Sequence, residues 1–283
     1  MTDRGPEFLP TARLTVRSWQ QTNGPGPNVL FLGGSNFDLD LKTEVRTSPL
    51  TQLGPFVTYE PRGIGKSDLP PGDWTMEDYA QDAIAVLDAM GWDKAVVVGE
   101  SFGGMTALHL ALAAPDRVQA LVMSSATAGG AGGASYDIRQ FLRLSRAEAA
   151  AHALAILDKR VTDLAMDAPD TYAARLAARV TFETAFARSS IAHGGYARLL
   201  EARARHDVWE RLPEIQVPTL VIAGIHDGQA PLEAQRNMAA RLSRATLWER
   251  TAGHGVLFSD ANVLPQVVAE WLPQVLPLVP SQG

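Results

Sequence analysis

Ser101 stands in Gly99-Glu100-Ser101-Phe102-Gly103, directly after the apolar run KAVVVGE (94–100) and at the head of a helical pattern beginning at Phe102. A serine hydroxyl is a weak nucleophile near neutral pH. It needs a base within hydrogen-bond reach, and the base needs a carboxylate to hold its tautomer. A strand–turn–helix setting suits such a serine. The sharp turn lifts the hydroxyl above the sheet, and glycines on either side let strand and helix approach. The same turn also fits a plain βα connection in which Gly and Ser are merely good turn formers.

Six histidines are available as base. His254 lies in Ala252-Gly253-His254-Gly255, just after the run ATLWER (245–250), where two glycines leave the ring room to swing toward a site. His226 competes, because it neighbours an acid in GIHDGQAP (224–231). His109 falls inside the helical pattern after Ser101 and reads as a packing residue; His152, His193 and His206 lie in a separate helical stretch. The acid is Asp227. A lone Asp in a βα loop is usually a cap or turn residue. What raises Asp227 is the order Ser101, Asp227, His254, each just past a strand run, where open α/β sheets build their sites. The run VQALVMSSA (118–126) ends among Ser124, Ser125 and Thr127 with no rival carboxylate.

The elements that position these residues alternate. Short apolar runs at 29–34, 55–60, 94–100, 118–126, 218–224 and 245–250 suit buried parallel strands. Helical spacing fills 75–90, 102–114, 231–242 and 260–279, with Thr75 placed to cap the first and Gly91 to end it. The expected fold class is α/β: a mostly parallel central sheet with helices on both faces. One stretch breaks the alternation. Residues 127–212 open with TAGGAGGASY and continue Ala- and Arg-rich without a strand signal. That length is improbable for a bare loop, so it is read as a helical insertion over one end of the sheet. The division expected is a core of 1–126 and 213–283 with an inserted helical cap, 127–212.

Composition narrows the function classes. The chain has 283 residues, 46% hydrophobic, enough for one large core rather than a disordered chain. Its net charge of -6, with no long Lys/Arg block, disfavours nucleic acid and anionic lipid as partners. The absence of cysteine removes disulfides, thiolate catalysis and Cys-ligated metals. The start MTDRGPEFLPTARLTV has no apolar signal-type run, and no stretch approaches the roughly 20 residues a membrane helix needs. A soluble, cytoplasmic chain is expected, needing neither cofactor nor metal.

Taken together, FLGGS (31–35), EPRGIGKSD (60–68), GESFGG (99–104), GIHDGQAP (224–231) and AGHG (252–255) resemble the α/β-hydrolase fold family over nearly the whole chain, and most of all its esterase and enol-lactonase branch. The resemblance implies nucleophile, acid and base at Ser101, Asp227 and His254, and oxyanion-hole amides from Phe102 and Gly34. Two positions depart from the family pattern. Leu32-Gly33 replaces the frequent His-Gly, and Glu60 stands where Asp is usual. LGGSN also differs from the HGGPG of proline aminopeptidases. Arg62 and Asp68 are expected to form structural ion pairs or loop hydrogen bonds. The expected activity is hydrolysis of a small carboxylic ester or lactone through an acyl-enzyme. Carbon–carbon bond hydrolysis of a vinylogous diketone, perhydrolase or acyltransferase chemistry, and a non-catalytic ligand receptor are the alternatives. In the cap, Tyr136, Phe141, Phe182, Phe186, Tyr196 and Trp209 divide between pocket wall and packing, with Phe141, Phe182 and Trp209 taken as the pocket candidates. Arg139, Arg143, Arg175, Arg179, Arg198, Arg203 and Arg205 read as solvated helix faces, one of which could meet an anionic substrate.

Overall fold

Eight strands hydrogen-bond into one sheet in the computed structural model, which describes residues 5–22 and 24–276. They are β1 (Glu7–Pro10), β2 (Thr15–Gln21), β3 (Val29–Leu32), β4 (Phe56–Tyr59), β5 (Ala95–Glu100), β6 (Val118–Ser124), β7 (Thr219–Gly224) and β8 (Ala245–Arg250). Their order across the sheet is β1-β2-β4-β3-β5-β6-β7-β8. β1 and β2 run antiparallel at one edge; β4 through β8 and β3 are mutually parallel. The β1–β2 hairpin was not legible as strands. Its longer member, TVRSWQQ, carries Arg17, which is buried because Glu60 and Asp40 pair with it. A buried ion pair interrupts the apolar run that marks the other strands.

Alternation along the strands splits the core in two. Leu30, Val97, Leu121 and Val221 face one side and pack against α1 (Met76–Ala89), α2 (Phe102–Ala113) and α7 (Leu232–Arg241). Val29, Phe31, Val96, Val98, Val122 and Ile222 face the other and meet Val256, Leu257, Val263, Val267 and Trp271 near the C-terminus. This is the period-2 geometry of a strand buried on both faces. α1 begins where expected: Thr75 and Asp78 form a reciprocal capping box. The helix expected over 260–279 is instead segmented, Val263–Gln266, a π turn Val267–Trp271 and Leu272–Val275. Pro265 and Pro273 each lack an N–H for a continuous ladder. Its last residues, from 277, lie outside the described residues.

Between β6 and β7 the described chain has no strand. It forms α3 (Arg146–Leu157), α4 (Val161–Asp167), α5 (Pro169–Phe186) and α6 (Gly195–Ala204) with short 3-10 and π turns. Ile138, Phe186, Leu199 and Leu200 from this segment pack with Ile64, Trp74, Phe102 and Met105, which lie on or beside the loops at the carboxyl end of the sheet. The segment therefore sits over the strand ends that carry Ser101, Asp227 and His254.

Candidate active site

The turn between β5 and α2 is strained at one residue. Ser101 has φ 54° and ψ −114°, one of two positive-φ residues other than glycine among those described. Such a conformation costs of order 1–3 kcal/mol and persists only where its surroundings impose it. The glycines show how. A Cβ on Gly103 would lie 1.9 Å from the Leu32 carbonyl oxygen, and one on Gly99 2.6 Å from that of Gly103. Only bare backbone lets α2 start this close to β3 and β5.

Asp227 follows β7 and is fully buried. Its Oδ1 accepts the amides of Gln229 and Ala230, each at 2.8 Å, which fixes the carboxylate by its own loop. Both of its oxygens face His254 Nδ1, at 3.0 and 2.9 Å. The opposite nitrogen, Nε2, lies 2.9 Å from Ser101 Oγ. With Nδ1 holding its proton toward Asp227, Nε2 presents a lone pair to the serine hydroxyl. His254, not His226, thus stands between acid and serine. The His226 peptide instead bonds the neighbouring backbone, to the Ala252 carbonyl and from the Lys159 amide.

The base loop is tied from two directions. Ser125, the second strained residue (φ 53°), donates its hydroxyl to the His254 carbonyl. The His254 amide donates to Leu157 at 2.6 Å, and the Gly228 amide to Ile156 at 2.8 Å. The C-terminal end of α3 therefore holds both the acid loop and the base loop. Those carbonyls are available because a helix leaves its last C=O groups without intrahelical partners.

Beside Ser101 run two backbone segments with amides to offer. Phe102 is the first residue of α2, and its N–H has no partner within the helix. Gly34 has already left β3, and a Cβ there would be 3.7 Å from Ser101 Cβ.

A cavity of about 170 Å³ opens over Ser101, His254, Gly34 and Gln229. Ile138, Phe141 and Leu142 give it an apolar wall, and Tyr196 a polar one. Its charged groups are Lys42, Glu100, Arg146, Arg179 and Glu183. Arg179 and Glu183 pair at 2.6 Å. Burial pushes the Glu100 carboxyl up, opposed by Lys42 and His254. Burial likewise pushes the Tyr196 phenol up to about 12.

Phe141 lines the cavity. Phe182 stands one layer behind, with Lys42 and Arg179 each 5.2 Å from its ring centre and its ring stacked on Phe186. Trp209 is elsewhere: it covers Gly132 and carries the Arg241 guanidinium 4.7 Å from its ring centre, packed on the α2 side of the core. Its place in a turn just before β7 draws it under the sheet rather than over it. Arg62 grips Asp82 through two bonds of 2.6 Å, and Asp68 accepts the Thr15 amide, so both hold the fold. Among the arginines of 127–212, Arg203 departs from a solvated face; it is buried.

Residues 55–261 match the alpha/beta hydrolase fold family, more than half of the chain. The chain belongs to the α/β-hydrolase fold family. Among its relatives, a Caulobacter segnis protein named as a candidate carbamate hydrolase, RutD, is 32% identical over 233 residues, covering 79% of this chain and 83% of its own. The 3-oxoadipate enol-lactonase 1 of Acinetobacter baylyi is 30% identical over 211 residues, 73% of this chain and 74% of its own. The enol-lactonase structure from Burkholderia xenovorans shares the fold with a TM-score of 0.76 at 23% identity, over 94% of this chain and 100% of that one. No helix among the described residues is long and apolar enough to cross a membrane.

Gln229 was not singled out in the sequence. Its amide Nε2 lies 2.9 Å from His254 Nε2, the nitrogen that also faces Ser101, and the residue is buried. The signal was present: Gln229 shares the Asp227 loop, two residues on, and a loop that delivers an acid to the imidazole also delivers its near neighbours.

Proposed function

We propose that this protein is a serine hydrolase that cleaves a small carboxylic ester or lactone through an acyl-enzyme on Ser101. The observation that carries the reading is the continuous relay Asp227–His254–Ser101, with hydrogen-bond distances of 2.9–3.0 Å at every link.

Ser101 Oγ attacks the substrate carbonyl while His254 Nε2 takes the hydroxyl proton. Asp227 stabilises the imidazolium through Nδ1–H. The amides of Gly34 and Phe102 hold the oxyanion. The tetrahedral adduct collapses, His254 returns the proton to the leaving oxygen, and an ester of Ser101 remains. Water, deprotonated by His254, attacks that ester and releases the acid. The balance closes with one water per ester bond.

The cavity size favours a small acyl group, and the charged side chains among its apolar walls favour one with a polar end. Arg146 lines it without an ion pair among the described residues; its Nη2 reaches only the Leu144 carbonyl at 3.3 Å. A substrate carrying an acidic group would find a counter-charge there. The names of the relatives, a carbamate hydrolase and an enol-lactonase, describe attack on small carbonyl compounds and agree in class. In this reading residues 127–212 act as a cap that selects what reaches Ser101.

A panel of p-nitrophenyl esters, aliphatic lactones and a chromophoric vinylogous diketone, tested on purified protein, separates the substrate classes. Turnover of esters or lactones, with short acyl groups preferred, is the expected result. Diketone cleavage without ester turnover would overturn it.

A further inference from the structure

Arg203 lies in the last turn of α6 and is only 6% exposed. Its Nη1 donates to the Tyr136 carbonyl at 3.0 Å. Its Nε and Nη2 are buried and have no hydrogen-bond partner among the described residues. These two nitrogens form the side-on edge of the guanidinium, whose parallel N–H groups match the two oxygens of a carboxylate.

This chain uses that edge repeatedly. Arg62 grips Asp82 with it, Arg139 grips Asp137, Arg160 grips Asp158, Arg211 grips Glu214 and Arg236 grips Glu249. The Arg62 case is also buried, and both of its bonds are 2.6 Å. Arg203 makes no such pair among the described residues. The carboxylate whose charge acts on Arg203, Asp137, is held by Arg139. Among the described residues, six other arginines, at 17, 62, 139, 160, 211 and 236, have pKa values displaced upward; Arg203 alone is displaced downward, chiefly by burial. The C-terminal end of α6 offsets part of its charge, but a helix dipole supplies no acceptor for Nε–H or Nη2–H. A buried charge with two unsatisfied donors is expensive unless something pairs with it.

Arg203 lines a cavity of about 150 Å³ with Met105, Thr127, Ser135 and His206. Thr127 Oγ1 and Ser135 Oγ lie 3.1 Å apart. Their mutual bond uses one of two hydroxyl protons and leaves the other as a donor. His206 does not compete as a ligand, because its ring nitrogens face His109 and the Thr127 carbonyl. At the rim, Arg139 bridges Asp137 and Glu201, a local excess of one negative charge that disfavours large or highly charged anions. The catalytic cavity lies across a shared wall: Ile138, Phe141 and Leu142 face it, while Ser135, Asp137 and Arg139 face this one.

We propose that this second cavity binds a small carboxylate, held in the plane of the Arg203 guanidinium by Nε and Nη2, with a hydroxyl of the Thr127–Ser135 pair as a third donor. The site is separate from Ser101, and its test does not depend on the reaction proposed there.

The test is the thermal midpoint of the full chain titrated with sodium acetate, sodium phosphate or sodium chloride at matched ionic strength, for the wild type and for Arg203→Lys. Lysine keeps the charge but loses the two-pronged edge. Acetate should raise the wild-type midpoint saturably, chloride should not, and the lysine variant should need roughly tenfold more acetate or fail to saturate. Equal responses to acetate and chloride, or an acetate response unchanged in Arg203→Lys, would overturn the site. A stronger response to phosphate than to acetate would overturn its assignment to carboxylates. If Arg203→Lys does not fold, a crystal structure of the wild type grown in acetate decides. Planar density with two oxygens on Nε and Nη2 supports the proposal, and water molecules alone on both nitrogens refute it.

Discussion

At the carboxyl edge of the sheet, side chains are held by backbone. Above it, in the helices between β6 and β7, they are held mostly by one another. α2, which starts at the Ser101 turn, buries ten of its twelve residues; α5, between β6 and β7, buries one of eighteen. Ser101 is held at positive φ by a turn closed between Gly99 and Gly103, and Asp227 by two amides of its own loop. Phe141 and Arg146, by contrast, are placed only by the packing of partly exposed helices. In the function proposed above, the first region supplies the chemistry and the second the selection. The two regions are not independent, because Ile156 and Leu157 at the end of α3 bond the loops of Asp227 and His254.

Changes at the edge should remove activity without regard to substrate. The largest effect expected is that of Ser101→Ala, a loss on the order of 10⁵–10⁶ in kcat with a native circular dichroism spectrum. Near-wild-type turnover in a folded variant would end the division at once. Asp227→Asn comes next, at about 10⁴ in kcat, because the amide favours the wrong imidazole tautomer. The same change at Asp93, Asp116 or Asp163 should be nearly silent in the same assay.

The seam between the regions should show an intermediate effect. A Cβ on Gly253 would lie 2.2 Å from the Leu157 carbonyl oxygen. Gly253→Ala should therefore push the base loop off α3 and cost about 10² in kcat for every substrate, as a shift of an ångström in a catalytic group does. A substrate-dependent loss instead would mean that α3 acts on the pocket and not on His254. Within the inserted helices, Phe141→Ala should alter the ratio of kcat/KM between short and long acyl esters by about 1–3 kcal/mol. Trp209→Ala, away from the cavity, should lower the melting midpoint and leave that ratio alone.

The smallest effect concerns the joint where His206 meets the core. Burial, then His109, lowers the His206 pKa from 6.5 to about 4. The unfolded chain therefore takes up a proton between those values that the folded chain refuses. That contribution to stability is complete above about 6.5 and is lost as pH falls toward 4. Melting midpoints of the wild type should decline across this window more steeply than those of His206→Asn. Parallel curves would show that the ring is not buried in neutral form.

What could be read from the sequence follows the same line. The order of Ser101, Asp227 and His254, each just beyond an apolar run and among glycines, is a local pattern, and the structure brings the three side chains into contact. The central strands were equally plain, since both of their faces are buried. The β1–β2 hairpin was hidden by Arg17, whose partners Glu60 and Asp40 come from other loops. Cavity walls were hidden for a related reason. Phe141, Phe182 and Trp209 have the same chemistry, and only tertiary packing puts the first in the wall, the second behind it and the third elsewhere. The support from Ile156 and Leu157 has no residue signature, because carbonyl oxygens do the bonding. Arg203 looks like its neighbours in sequence; its burial depends on the segment 134–139 folding over it.

If Ser101 is a nucleophile activated by His254 and Asp227, it should react with an electrophile that needs only that activation. Labelling with a fluorophosphonate followed by peptide mass spectrometry tests it without knowledge of the substrate. One adduct per chain is expected, on Ser101, formed far more slowly in Asp227→Asn. No adduct on the folded wild-type protein, or an adduct on a different serine, would contradict it.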